Sequence, residues 1–433
     1  MRTKRLDAVF VRPPDAGPKQ WQTLYRLAAL MVFAAALSAQ GSDGGDAPSR
    51  RAAAAVNAFS VDLFKALAGR NGGNIVVSPY SLARVLAVAA SGAGGETRRE
   101  LLSALRLDPA DRGGGGDALA PFAALGVQLA AAGPFSAIGL VIHARDLEIS
   151  AAFTETAGRL FGIGVEPADF SNPEGLAKAI NSRVRQGARG MIGEFVDASS
   201  FPSGARLAVI DAAAFAGEWS RAFPAEDTHD GEFESPEGTV TAAYMSDRSP
   251  VRPFVIRDGA YGKPLADMLG LPFRDGGLEM LFLKPENMNT FMDALTPDSL
   301  AAWLEAYDVF RAEAGGAGGG TALRIPKFSF SHDAGNLASA LEGLGIRAAF
   351  SGDADFSGIA GGERLRISSA LHKARIEVDE AGARAAAAGA AIAVRETASR
   401  VEFRLDRPFL FFVRHPGLGA LPVLGKVVKP VVE

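Results

Sequence analysis

The stretch VDEAGARAAAAGAAIAVRETASRVEFRLDRPF, Val378 to Phe409, decides how the chain is read. It opens acidic, passes eight alanines and two glycines before Ile392, and then turns charged. Alanine has the best helix propensity, so such a run is ordinarily helical. Gly382 and Gly389 argue against a long helix, and VRETASRVEF beyond them has the texture of an exposed loop. A loop this long in a compact domain is either functional or a linker. Read at period two, one parity is Ala383, Ala385, Ala387, Gly389, Ala391 and Ala393, all small and uncharged. The other parity carries Arg384, Ile392, Val394 and Glu396.

Bulk properties narrow the classes. The 433 residues are 48% hydrophobic and 22% charged, enough for a sizeable core. A net charge of −4 gives no electrostatic reason to expect nucleic acid. With no cysteine, disulfides, thiol catalysis and cysteine metal sites are excluded. The histidines show no HExxH spacing and no GxSxG elbow is present, so neither a cofactor nor an enzyme activity is expected. Upstream, LAALMVFAAALSAQ (Leu27 to Gln40) follows Arg26 and offers Ala36 and Ser38 before a cut. It predicts a signal peptide over residues 1–38 and a secreted or periplasmic protein, with an N-terminal membrane anchor as the alternative. Residues 39–51 read as a flexible linker, and 52–433 as the folded domain.

Along that domain, RAAAAVNAFSVDLFKALAG places Val56, Phe59, Leu63, Phe64 and Leu67 on one helical stripe. IVVS reads as a short buried strand. In the next helix Ser78 is the expected N-cap and Pro79 the first helical residue. Thr97 is expected to cap another. SAAFTETAGRLFG, PEGLAKAINSRVRQGARG, SLAAWLEAY and GNLASALEGLGI read as helices. SAIGLVIHA, RLAVIDAAAFAGEW, LEMLFLKP, ALRIPKFSFS, LRISSALHKARIEV, RPFLFFVRH and LPVLGKVVKP each read as one strand. No strict βαβ alternation appears, which predicts a single α+β domain.

These segments, in this order, resemble the serpin family of serine-protease inhibitors from about Val56 to Pro430. IVVSPYSL is similar to the family's SPxS segment, and SGAGGETRREL to its GAxGxTxxE stretch. INSRVRQGARGMI resembles INxWVxxxTxGxI, with Arg183 for Trp and Ala188 for Thr. In IDAAAFAGEWSRAFPAEDTHDGEF, Trp219, Phe223, Thr228 and Phe233 fall in the family register, and LRIPKFSFS, DADFSGI and LHKARIEVDEAG continue the match. The resemblance implies a large central, mostly antiparallel sheet A, two further sheets, eight to nine helices and an exposed reactive-centre loop over about 380–404. A protease cuts that loop as a substrate, and the part before the cut then inserts into sheet A and traps the acyl-enzyme. A dozen new backbone hydrogen bonds at about 0.5–1.5 kcal/mol each would supply on the order of 10 kcal/mol.

By the same resemblance the hinge comprises Glu380, Gly382, Ala383, Arg384, Ala385, Ala386, Ala387 and Ala388. Family spacing from Gly382 puts Glu396 before the scissile bond and Thr397 after it. A hinge one residue shorter would make Arg395 the bait. A glutamyl-specific or a trypsin-like target follows, respectively. A polar cluster holding sheet A shut carries over to Ser78, Ser81 and His372, with Asp211 where the family usually has Asn. Trp219 is expected at the top of the sheet, where insertion begins. Arg384 stands where Glu is usual and Gly389 where Thr is frequent, so insertion is expected to be slower. No basic cluster stands near LRLDPADRGGGGDA, so no heparin site is expected. The implied protein is a monomer able to form loop–sheet polymers. A non-inhibitory binding or chaperone-like serpin, or one directed at cysteine proteases, is the alternative.

Overall fold

Apolar runs and segments of helical period alternate along much of this chain, and three sheets with helices packed on them result. The structure is a computed structural model that describes residues 46–107, 119–133, 135–259, 262–274, 277–314, 320–361, 363–382 and 401–433. Among these residues lie nine α-helices and fifteen strands. Helix α1 spans Asp46–Ala68 and strand β1 Ile75–Val77; α2 (Pro79–Ser91) and α3 (Gly95–Ala104) follow. Then come α4 (Ala120–Ala131), β2 (Phe135–Ala144), α5 (Ala151–Phe161), β3 (Gly164–Ala168), α6 (Pro173–Gly187) and β4 (Leu207–Phe215). A strand-rich stretch holds β5 (His229–Ser235), β6 (Gly238–Ser249), β7 (Phe254–Arg257), β8 (Pro264–Pro272) and β9 (Glu279–Pro285). Helices α7 (Met288–Ala294) and α8 (Pro297–Ala314) precede β10 (Thr321–Pro326) and β11 (Phe328–Asn336). The remainder is α9 (Ala338–Gly343), β12 (Ser369–Val378), β13 (Glu402–Arg404), β14 (Phe409–His415) and β15 (Ala420–Val427).

The largest sheet runs β1-β15-β14-β9-β8-β7, and every neighbouring pair in it is antiparallel. A four-stranded sheet runs β13-β10-β6-β5. The third runs β11-β12-β4-β2-β3, and in its middle β4 and β12 pair in parallel, from Ser369 opposite Ala208 to Ile376 opposite Phe215. All nine residues of β4 are buried, as its continuous apolar run predicts. Its odd-numbered residues face the core shared with α2 and the six-stranded sheet, while Ile210, Ala212 and Ala214 pack against α6.

Four expectations need correction. The linker thought to reach Arg51 gives way to helix at Asp46, because Ser49 is buried, receives a hydrogen bond from Gln128 and leads into an alanine run with high helix propensity. Thr97 is no cap. It lies inside α3, and its hydroxyl accepts from the Asp355 N–H at 2.9 Å. ALRIPKFSFS is two strands rather than one. The chain leaves the four-stranded sheet after Pro326 and enters the five-stranded sheet at Phe328, with Lys327 at the corner. Helix α4 was passed over altogether, since its residues are apolar nearly all round and show little periodicity. Residues Ser49–Glu433 form one compact unit. The expected signal over 1–38 lies outside the described residues.

Candidate functional site: the hinge and the seam

The strand β12 ends at Val378, and the chain then makes a tight turn through Asp379, Glu380, Ala381 and Gly382. The Asp379 N–H donates to the Gly382 carbonyl at 2.8 Å and the Gly382 N–H to the Asp379 carbonyl at 3.2 Å. That reciprocal pair is the closing pair of a two-residue hairpin. The Asp379 carboxylate also accepts from the Ala381 and Gly382 N–H groups at 2.9 and 3.1 Å. Burial pushes the Asp379 carboxyl up, against these two backbone donors. Gly382 has φ of 131°, and a Cβ there would meet the Gly217 oxygen at 2.2 Å and the Glu218 Cα at 2.6 Å. Only glycine fits, because both the backbone angle and the contact forbid a side chain.

Three groups anchor this turn. Trp219, fully buried, stacks on Phe273 with ring centroids 4.7 Å apart and donates from Nε1 to the Asp379 carbonyl at 3.0 Å. Gly217 makes room for the stack, since a Cβ there would lie 2.7 Å from the Phe273 ring. Backbone N–H groups of Trp219 and Phe223 donate to the carbonyls of Ala381 and Glu380. The Glu380 carboxylate accepts from the Thr228 hydroxyl at 2.8 Å and pairs with Lys327 Nζ at 2.8 Å. Burial pushes Glu380 up, but Lys327, its backbone hydrogen bond and Thr228 together outweigh it and hold the carboxyl below the usual range.

Lower on the same seam, Asp211 of β4 and His372 of β12 lie opposite one another and both are 1% exposed. His372 Nδ1 meets Asp211 Oδ2 at 2.7 Å, and the Ser81 hydroxyl lies 2.6 Å from the same oxygen. The Ser78 N–H donates to His372 Nε2 at 3.2 Å, so the neutral imidazole carries its proton on Nδ1, facing Asp211. Ser78 also caps α2 as expected, its hydroxyl oxygen accepting from the Ser81 N–H and its proton going to the Pro422 carbonyl at 2.8 Å. At its foot the seam opens on a cleft of about 510 Å³ whose lining includes Phe195, Ser199, Asn336, Ser369 and His372.

The structure therefore gathers Ser78, Ser81, Asp211 and His372 into one cluster, and Trp219, Glu380 and Gly382 into another. Ala383, Arg384, Ala385, Ala386, Ala387 and Ala388, and Arg395, Glu396 and Thr397, lie outside the described residues. Sequence reasoning missed Lys327, Asp379 and the latch role of Thr228. Lys327 gave no signal because it stood inside what read as one strand. The Asp379–Glu380–Ala381–Gly382 turn could have been suspected from its Asp and Gly.

The family model described as Serpin (serine protease inhibitor) matches residues 54–430. The chain belongs to the serpin family. Among its relatives, Plasminogen activator inhibitor 1 of Neovison vison is 32% identical over 390 residues, which cover 88% of this chain and 93% of that protein. Serpin-ZXA of Oryza sativa subsp. japonica is 33% identical over 387 residues, covering 84% and 92%. Human glycosylated kallistatin has the same fold at a TM-score of 0.77 and 24% identity, covering 91% of this chain and all of that one. Within this serpin, the described α4, the helix after LRLDPADRGGGGDA, has no basic residue.

Proposed function

We propose that the protein is a suicide-substrate inhibitor of an extracytoplasmic serine protease, secreted by its N-terminal segment, that traps the enzyme by inserting its cut loop between β4 and β12. The observation that carries this reading is the pairing of Gly382. It forms a reciprocal pair with Asp379, and it also bridges antiparallel to Glu218, which continues β4. Gly382 is thus already a strand residue between the two walls of the seam. Extending both ladders by whole residues sets residue 383 against Val378 and Gly217, and residue 385 against Ile376 and Phe215. Ile376 and Phe215 are themselves partners across the closed seam. The two registers agree, so a strand can enter without either wall sliding. It would be antiparallel to both, replacing one parallel pairing with two antiparallel ones, which are slightly more stable per residue.

This register turns the small-residue parity inward. Val378, Ile376, Ala374 and His372 face the core, as do Phe215, Ala213 and Asp211. Opposite residues of a ladder share a face, so Ala383, Ala385, Ala387 and Gly389 would face the core too. The attacking serine first forms an acyl-enzyme at the cut bond. Insertion then carries the tethered enzyme away before water can release it. Glu396 before Thr397 suits a glutamyl-specific protease, and Arg395 a trypsin-like one. Mixing the protein with one of each and running a denaturing gel tests the reading: a covalent complex is expected. Ala387→Pro removes a donor from a central strand, so that variant is expected to be cut without trapping enzyme. If it traps as well as its parent, insertion at this seam is wrong.

A further inference from the structure

The bond between Asp211 and His372 crosses the seam that the proposed insertion must part. Neighbouring strands lie about 4.8 Å apart, so an entering strand separates the two residues by about that much more and breaks their 2.7 Å contact. In the closed seam Asp211 Oδ2 accepts from both the imidazole and the Ser81 hydroxyl, while Oδ1 is buried with no hydrogen-bond partner among the described residues. The surrounding elements bring four charged or titratable side chains, none of which hydrogen-bonds Asp211 in the closed seam among the described residues. From α2 come Tyr80 and Arg84, and Arg84 gives its Nη2 to the Ala137 carbonyl at 3.0 Å. β11 brings His332, whose Nδ1 donates to the Val76 carbonyl at 3.2 Å. β15 brings Lys426, whose Nζ donates to the Asn71 carbonyl at 3.1 Å. β2 presents only Gly139 opposite Asp211. In the proposed inserted register residue 389 would fall between Asp211 and His372, and it is glycine, which carries no side-chain donor.

After separation, Asp211 would be a buried carboxylate with one hydroxyl neighbour. A buried carboxylate that loses a hydrogen bond donated to its charged form is pushed towards the neutral acid. We propose that opening of the β4–β12 seam is coupled to protonation: as His372 leaves, Asp211 takes up one proton, so acid favours the inserted form. The cleft at the foot of the seam reaches His372, the residue that leaves Asp211. This inference rests on the insertion reading above.

The test compares wild type with Asp211→Asn, which keeps the acceptor for Ser81 and the imidazole but cannot titrate. Each is nicked in the loop at pH 6, and calorimetry in two buffers of different ionisation heat counts protons bound. The same peptide bond is hydrolysed in both, so the difference isolates the seam. Wild type is expected to take up about one proton more per molecule than Asp211→Asn. Its gain in thermal resistance on nicking is expected to widen as pH falls from 8 to 6, by up to tenfold in the insertion equilibrium per pH unit. Equal proton counts overturn the proposal, and so does a wild-type gain that is flat with pH, even if the variant fails to fold. If nicking gives no thermal gain at any pH, it is the insertion reading that fails, and this inference with it.

Discussion

Two buried carboxylates show how differently the two largest sheets are built. Glu279 of β9, in the six-stranded sheet, is 1% exposed and held by two guanidinium groups. Arg311 contacts Oε2 and Arg414 contacts Oε1 at 3.3 Å, and Arg414 also holds Asp308 of α8. Arginine keeps its charge at any accessible pH. Asp211, in the five-stranded sheet, has one imidazole, one hydroxyl and an oxygen without a partner. Its partner is a neutral imidazole on the strand across a parallel seam whose next inward residues are Ala213 and Ala374. The six-stranded sheet instead packs Phe282 on Phe409, sets Phe409 and Phe411 against Phe328 of β11, and pairs antiparallel throughout. A charge held by permanent partners suits a sheet that stays closed. A charge held by neutral partners between small residues suits one that parts.

The largest expected effect breaks or sustains this comparison directly. Cutting the loop near residue 396 should raise the thermal midpoint by 10 °C or more, since on the order of 10 kcal/mol of new pairing becomes available. Superimposable melting curves before and after the cut would mean the seam does not open. Next, Arg414→Met should destabilise cut and uncut protein equally, by about 3–5 kcal/mol, because it leaves Glu279 and Asp308 short of a buried cation. A loss confined to one form would show that the six-stranded sheet also rearranges. Denaturant unfolding of both forms measures it.

A smaller effect belongs to acid. His332 on β11 has its pKa lowered to about 4, mainly by burial and then by the neighbouring His372. A free histidine titrates near 6.5. Between those values the unfolded chain binds the extra proton and the folded chain does not. Stability is therefore full above about pH 6.5 and falls as pH drops towards about 4, by on the order of 3 kcal/mol. His332→Gln should flatten the unfolding free energy over that window, and an unchanged slope would assign the acid loss to other groups.

The sequence announced the strands wherever a run was uniformly apolar, as in β4, β9 and β14, because burial on both faces leaves no polar residues. It announced the cap at Ser78 because Ser followed by Pro has few other uses. The corner at Lys327 was illegible, since Ile325, Phe328 and Phe330 kept an apolar rhythm across the point where the chain changes sheets. The four polar residues of the cluster could be named only through the family likeness. They stand as much as 294 residues apart, at Ser78 and His372, and no local pattern joins them. The register of the seam was hidden for another reason: it depends on the backbone of Gly382, and composition carries no trace of which partners a glycine will choose.

The smallest predicted effect concerns the latch at the top of the seam, where Lys327 meets Glu380. Both side chains are partly exposed, at 29% and 18%, so the pair should contribute only about 1 kcal/mol. Glu380 is held below the ordinary glutamate range, so its contribution is complete above about pH 4.5 and disappears as pH falls through its lowered value. Lys327→Ala should therefore cost the uncut protein about 1 kcal/mol at pH 7, and progressively less as pH falls through the lowered Glu380 value. The comparison between the sheets makes a sharper demand. Glu380 and Ala381 form the turn from which the proposed new strand would start, and Lys327 grips that turn from the corner where β10 gives way to β11. Loosening the grip should speed insertion in the cut protein, followed through Trp219 fluorescence, more than it lowers global stability. Equal changes in the two would make Lys327 an ordinary surface cation rather than part of the latch, and the hinge would then be held by Trp219 and Asp379 alone.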